Sequence, residues 1–61
     1  MSVIEKHLFA GRLERVVFPY GRLKEATRIV NEAGGEFRLR FYGPPDVYHF
    51  DRKESTIEPK G

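Results

Sequence analysis

In EFRLRFYGPPDVYHFDR, residues 36–52, hydrophobic pattern, turn chemistry and residue type all agree. Phe37, Leu39 and Phe41 alternate with Glu36, Arg38, Arg40 and Tyr42, the period of two of a half-buried strand. Gly43-Pro44-Pro45-Asp46 carries turn residues, and Val47–Arg52 returns with Tyr48 and Phe50 on one side and Val47, His49 and Asp51 on the other. A four-residue loop sets Phe41 opposite Tyr48 and Leu39 opposite Phe50. It also sets Tyr42 opposite Val47, Arg40 opposite His49, and Arg38 opposite Asp51. This β-hairpin has one aromatic, apolar face and one face of guanidiniums, a phenol and an imidazole.

Upstream, Leu23, Ala26, Val30 and Ala33 recur at intervals of three and four, with Ile29 widening the stripe, which predicts a helix over about Arg22–Ala33. Arg28 is spaced to pair with both Glu25 and Glu32. Gly34-Gly35 ends the helix and turns the chain into the hairpin, and Pro19-Tyr20-Gly21 precedes it. Val3–Phe18 has two readings. In one, Val3–Phe9 and Arg12–Phe18 form a hairpin about Ala10-Gly11, with Ile4, Leu8, Leu13 and Val17 sharing the buried face at the cost of placing Lys6 opposite Arg15. In the other, Ser2 caps a short helix, with Glu5 completing the capping box and Gly11 ending it. Two helical turns at a chain end are poorly stable alone, so the hairpin is preferred.

The order is strand-strand-helix-strand-strand. It predicts a small two-layer α+β domain, an antiparallel sheet with one helix packed on one face, over residues 1–52. The helix stripe is expected to meet Phe37, Leu39, Phe41, Tyr48 and Phe50, with part of Leu8, Leu13 and Val17. Residues 53–61, KESTIEPKG, hold one large apolar side chain, Ile57, and are expected to form a mobile tail.

A chain of 61 residues makes one domain, and it buries only roughly 60% of its unfolded surface. It has no cysteine for disulfides or thiolate metal sites. No apolar run approaches the roughly 20 residues of a membrane span. MSVIEKHLFAG lacks the layout of a signal peptide, so the cytoplasm is the expected location. Eleven cations against nine acids leave a net charge of +2, with the acids interspersed, so electrostatic attraction has to come from a local patch.

Chemistry-bearing patterns are sparse. Ser2 and Ser55 lie in the termini, Thr27 on the helix and Thr56 in the tail, and none has a base positioned beside it. His49 and Asp51 with His7 fall short of the four ligands of a closed zinc site, so no metal is expected. Gly11 and Gly34-Gly35 form no phosphate-cradling loop, and no cofactor is expected. The reading is non-enzymatic.

The sheet face away from the helix has nothing left in the chain to cover it. It offers Arg38, Arg40, Tyr42 and His49, with Arg12 and His7 from the first hairpin. Arginine and tyrosine are common interface anchors, and guanidiniums beside an aromatic ring also suit single-stranded RNA or DNA. A solvated face with an Arg38–Asp51 ion pair is the plain alternative. Neither sheet edge carries an inward proline, so pairing with a partner's sheet or into a homodimer is open. The hairpin-helix-hairpin layout is similar to that of several very small phage-encoded inhibitors of bacterial complexes, a likeness of architecture without a shared motif. It implies a protein that docks on a larger protein or nucleoprotein, as an inhibitor or accessory factor of phage or mobile-element type. Direct nucleic-acid binding and a structural homodimer are the alternatives.

Overall fold

The computed structural model describes residues 3–53. Four strands, β1 (Glu5–Phe9), β2 (Arg12–Pro19), β3 (Phe37–Gly43) and β4 (Val47–Arg52), and one helix, α1 (Leu23–Ala33), follow one another as β1-β2-α1-β3-β4. The fold is the expected small α+β domain. All neighbouring strands are antiparallel, in the order β1-β2-β4-β3, so β2 and β4 are central and β1 and β3 are edges.

The first segment is a hairpin, not a helix. Its turn places Ala10 at φ 54° and Gly11 at φ 78°, the pair of positive φ values that a two-residue hairpin loop needs to match strand twist. Next to the turn its register is the expected one, with Leu8 opposite Leu13, and beyond it differs: Lys6 lies opposite Val16 and His7 opposite Arg15, with a bulge that leaves Glu14 as the extra residue of β2. The bulge puts Val16 and Phe18, rather than Val17, on the helix side, and Lys6 does not face Arg15. A run of three apolar residues, Val16-Val17-Phe18, satisfies either register, and the bulge selects one.

The second hairpin keeps the expected pairs Arg38/Asp51, Leu39/Phe50, Arg40/His49 and Phe41/Tyr48, while Gly43 rather than Tyr42 faces Val47. Tyr42 is the extra residue of a second bulge, and Asp46 closes the turn at φ 55°, a left-handed conformation that aspartate tolerates better than most side chains. Beyond β4, Lys53 N–H donates to Glu36 C=O at 2.9 Å, so Lys53 still belongs to the ladder rather than to a tail. The rest of the expected tail, residues 54–61, lies outside the described residues, as does Ser2.

A 3-10 turn, Tyr20–Arg22, leads into α1, and Gly34 at φ 77° ends it. Because that turn is so short, α1 folds back over β2, the strand it leaves. Glu25 pairs with Arg22, not with Arg28. The helix buries Ala26 and Val30 against Val16 and Phe18, with Ile4, Leu13, Leu23, Ile29, Phe37, Tyr48 and Phe50 packed around them. A helix is about 10 Å across and strands are about 4.8 Å apart, so one helix roofs roughly two strands of four. Leu39 (48% exposed), Phe41 (59%) and Leu8 (60%), all expected in the core, are left outside.

Candidate functional site

Cross-strand register arranges the side chains in rows. On the face away from the helix, one row runs Arg38–Asp51–Arg15–His7 and the next runs Arg40–His49–Val17–Glu5 across all four strands. An open concavity of about 460 Å³ touches the first row at Arg38, Asp51, Arg15 and His7, and reaches the helix-side residues Glu14 and Arg52 as well.

Asp51 sits between two guanidiniums and takes one of them. Arg15 Nε donates to Asp51 Oδ1 at 2.9 Å. The expected Arg38–Asp51 pair is therefore not formed, because β4 lies between β2 and β3 and offers the carboxylate a second suitor that reading one hairpin does not reveal. Arg38 and Arg40 make no ion pair among the described residues. Arg52, on the helix side, is fully occupied. Its Nε donates to the Leu13 carbonyl at 2.9 Å, lies 3.4 Å from Glu14, and its guanidinium stacks over the Phe37 ring at 4.7 Å. A Cβ on Gly35, at φ 82°, would displace the end of that guanidinium, and the positive φ itself favours glycine there.

His49 is not available as a surface group. It is 8% exposed, beneath the Tyr42 ring at a centroid distance of 5.1 Å. Its Nε2 lies 3.1 Å from Asp51 Oδ2 but is not aimed along a hydrogen bond, and neither ring nitrogen has a hydrogen-bond partner among the described residues. Burial holds the imidazole pKa below its ordinary value; Asp51 works against that shift, and Arg15 and Arg40 reinforce it. The ring is a neutral packing element that supports Tyr42.

Of the residues singled out in the sequence, Arg38, Arg40 and Tyr42 stand together in the open on β3 and its bulge. Arg12 lies at the far end of the first hairpin, paired with Glu14 at 2.9 Å. Two residues of this face were not anticipated there. Arg15 was assigned to the other face because the bulge at Glu14 has no local sequence signal. Phe9, 74% exposed, lines the concavity with His7; its spacing of two from His7 is a signal that would have placed it on this face.

The helix side of β3 forms the second half of the candidate site. Phe41 packs edge-on against Tyr48 with centroids 5.4 Å apart, and Tyr20 leans on the same ring at 5.6 Å. Tyr20, Phe41 and Leu39 thus make an exposed apolar shelf beside the helix. No three His, Cys, Asp or Glu residues among those described converge as a metal site. No helix among the described residues is long and apolar enough to cross a membrane. Compared with protein-family models, curated proteins and solved structures, the chain matches none.

Proposed function

We propose that this chain is a small non-enzymatic binding protein that docks on a larger protein or nucleoprotein in the cytoplasm, as an inhibitor or accessory factor of the kind phages and mobile elements encode. The surface around β3 is its docking face. The observation that carries this reading is that folding leaves much of both sides of β3's centre open. Leu39 and Phe41 stay half exposed on one side, and on the other Arg38 and Arg40 make no ion pair among the described residues. Contiguous exposed apolar groups rimmed by charge are a feature of interaction sites, and aromatic and arginine side chains are the usual anchors. The test compares the immobilised wild-type chain with Phe41→Ser and Arg40→Ala variants in lysate of its native host. Proteins retained by the wild type and lost by both variants support the reading. Identical sets on all three beads overturn it.

A second reading has an observation of its own. The face away from the helix carries Arg15, Arg38 and Arg40 with two exposed rings, Tyr42 and Phe9, and single-stranded nucleic acid is bound by such mixtures of cations and stacking platforms. Gel shifts with a single-stranded oligonucleotide over a salt series decide it: affinity that falls with salt and disappears in the Arg38→Ala/Arg40→Ala double variant supports it. No shift at low salt removes it. The apolar shelf of Leu39, Phe41 and Tyr20 has no role in this second reading, which is why protein docking ranks first.

A further inference from the structure

We infer that β3 is a strand-addition edge that accepts an extended segment of a partner protein in which acidic and apolar side chains alternate. This rests on the docking reading and names the chemistry of what docks.

Three observations lead there. The first is the state of the backbone. Lys53 N–H bonds to Glu36 C=O, which makes Glu36 a residue whose polar backbone groups face β4. Antiparallel ladders alternate, so Arg38 and Arg40 face β4 as well, and the N–H and C=O groups of Phe37, Leu39 and Phe41 point to the open edge. An unpaired row of this kind is a template for another strand.

The second is the two-sided chemistry of the same residues. An incoming strand sends successive side chains to opposite faces. On the helix side they meet Leu39 and Phe41, and on the other they meet Arg38 and Arg40. Two cations at i and i+2 lie about 7 Å apart along a strand, the same spacing as carboxylates at alternate positions of the incoming segment. The matching sequence therefore reads acidic, apolar, acidic, apolar.

The third is what the charges favour. A second copy of this chain would pair β3 with β3 about a two-fold axis. Centred on Leu39, that sets Arg38 of one copy opposite Arg40 of the other; centred on Arg38 or Arg40, it sets that arginine on itself. Like charges directly opposite are destabilising, so these central registers are disfavoured; only a shifted register centred on Phe37, which sets Glu36 opposite Arg38, relieves the clash, and it leaves Arg40 without an acidic neighbour. An acidic strand satisfies both arginines at once. The other edge, β1, lacks this signature. It shows Glu5, Lys6 and His7, with Glu5 and His7 in contact at 3.4 Å, and its pairing with β2 is interrupted by the bulge.

The test uses blocked peptides alternating valine and glutamate, alternating valine and lysine, or carrying the glutamates and valines in two separate blocks. Binding is followed by amide hydrogen exchange and by anisotropy. The alternating glutamate peptide should bind at least about tenfold more tightly than the lysine peptide, through two cross-strand pairs changed from like to opposite charge. It should bring new protection to the Leu39 and Phe41 amides, while the Arg38 and Arg40 amides, already in the ladder, change little. Arg38→Glu/Arg40→Glu should reverse the preference. A chemically synthesised chain N-methylated at Leu39 loses the outward donor without losing the side chain, and should bind the glutamate peptide less tightly while keeping its fold.

No peptide binding, protection appearing on β1 instead, or a preference that the double reversal leaves unchanged would each overturn strand addition. If any of these occurs while a lysate partner still depends on Phe41 and Arg40, docking stands and only the strand mode falls. If the lysate partner is also indifferent to them, and a single-stranded oligonucleotide binds Arg38 and Arg40 instead, both fall.

Discussion

Phe18 on β2 and Phe41 on β3 flank the same ring, Tyr48, in one row across the sheet. Phe18 is 1% exposed and Phe41 is 59% exposed. The side chains are identical and the shared neighbour is the same, so hydrophobicity does not account for the difference. Position does. Phe18 stands on the central strand beneath α1, and Phe41 stands on an edge that a single helix is too narrow to reach. In this protein β2 is the strand that makes the domain stable, and β3 is the strand that leaves surface to spare.

Truncating the two rings should separate the two strands by the widest margin. Phe18→Ala should cost about 3–5 kcal/mol, comparable to the roughly 3–9 kcal/mol available to a chain of this length. The variant is therefore expected to be largely unfolded at 25 °C by circular dichroism. A cooperative transition within a few degrees of wild type would show that β2 is not the core.

Asp51 allows the same contrast to be drawn electrostatically, since it has Arg15 of β2 on one side and Arg38 of β3 on the other. A double-mutant cycle between Arg15→Ala and Asp51→Ala should give a coupling of about 0.5–1 kcal/mol, discounted for its partial exposure. The cycle with Arg38→Ala should give a coupling near zero. Equal couplings in urea denaturation would mean that the carboxylate serves both strands.

His49 lies between Val17 of β2 and Arg40 of β3, and sharpens the contrast through pH. Its folded pKa lies below the ordinary value of 6.5. As pH falls through 6.5 the unfolded chain binds a proton on this imidazole that the folded chain does not yet bind. Stability is therefore lost with falling pH until the folded pKa is passed, and is unaffected by this group at higher pH. Melting temperatures measured over this range should fall less steeply for His49→Phe than for wild type. Parallel slopes would mean that the imidazole is not desolvated.

A much smaller effect on stability than at Phe18 is expected on β3. Phe41→Ser removes a half-exposed ring and its edge contact with Tyr48 and should cost about 1–2 kcal/mol, whereas the docking reading makes it severe for binding. A loss as large as that of Phe18→Ala would return Phe41 to the core and remove the argument for a free shelf.

Much of this arrangement was legible in the chain. The pairs Phe41/Tyr48, Leu39/Phe50 and Arg40/His49 follow from alternation and a short turn, both of which act over neighbouring residues. Leu23, Ala26 and Val30 mark the buried side of the helix by spacing alone. The bulges at Glu14 and Tyr42 were not legible, because an extra residue in a ladder is defined by its partner strand. Val17 and Arg15 exchanged faces with Val16 and Glu14 for that reason. The partner of Asp51 was hidden by the same cause. Its pairing with Arg38 is the answer of a hairpin in isolation, and Arg15 competes only once β4 lies between β2 and β3.

What could be read from the chain alone is therefore local: three strands and a preferred fourth, one helix, where the turns fall, and the register of the second hairpin as far as Phe41/Tyr48. Periodicity and turn chemistry act within a few residues and leave their mark there. Which apolar side chains became core was decided only in three dimensions. The short Tyr20–Arg22 connection lays α1 back over β2, a helix about 10 Å wide covers about two strands at 4.8 Å spacing, and strand order puts β3 at an edge. Leu39 and Phe41 have the composition of an interior, and the tertiary arrangement gives them to the surface.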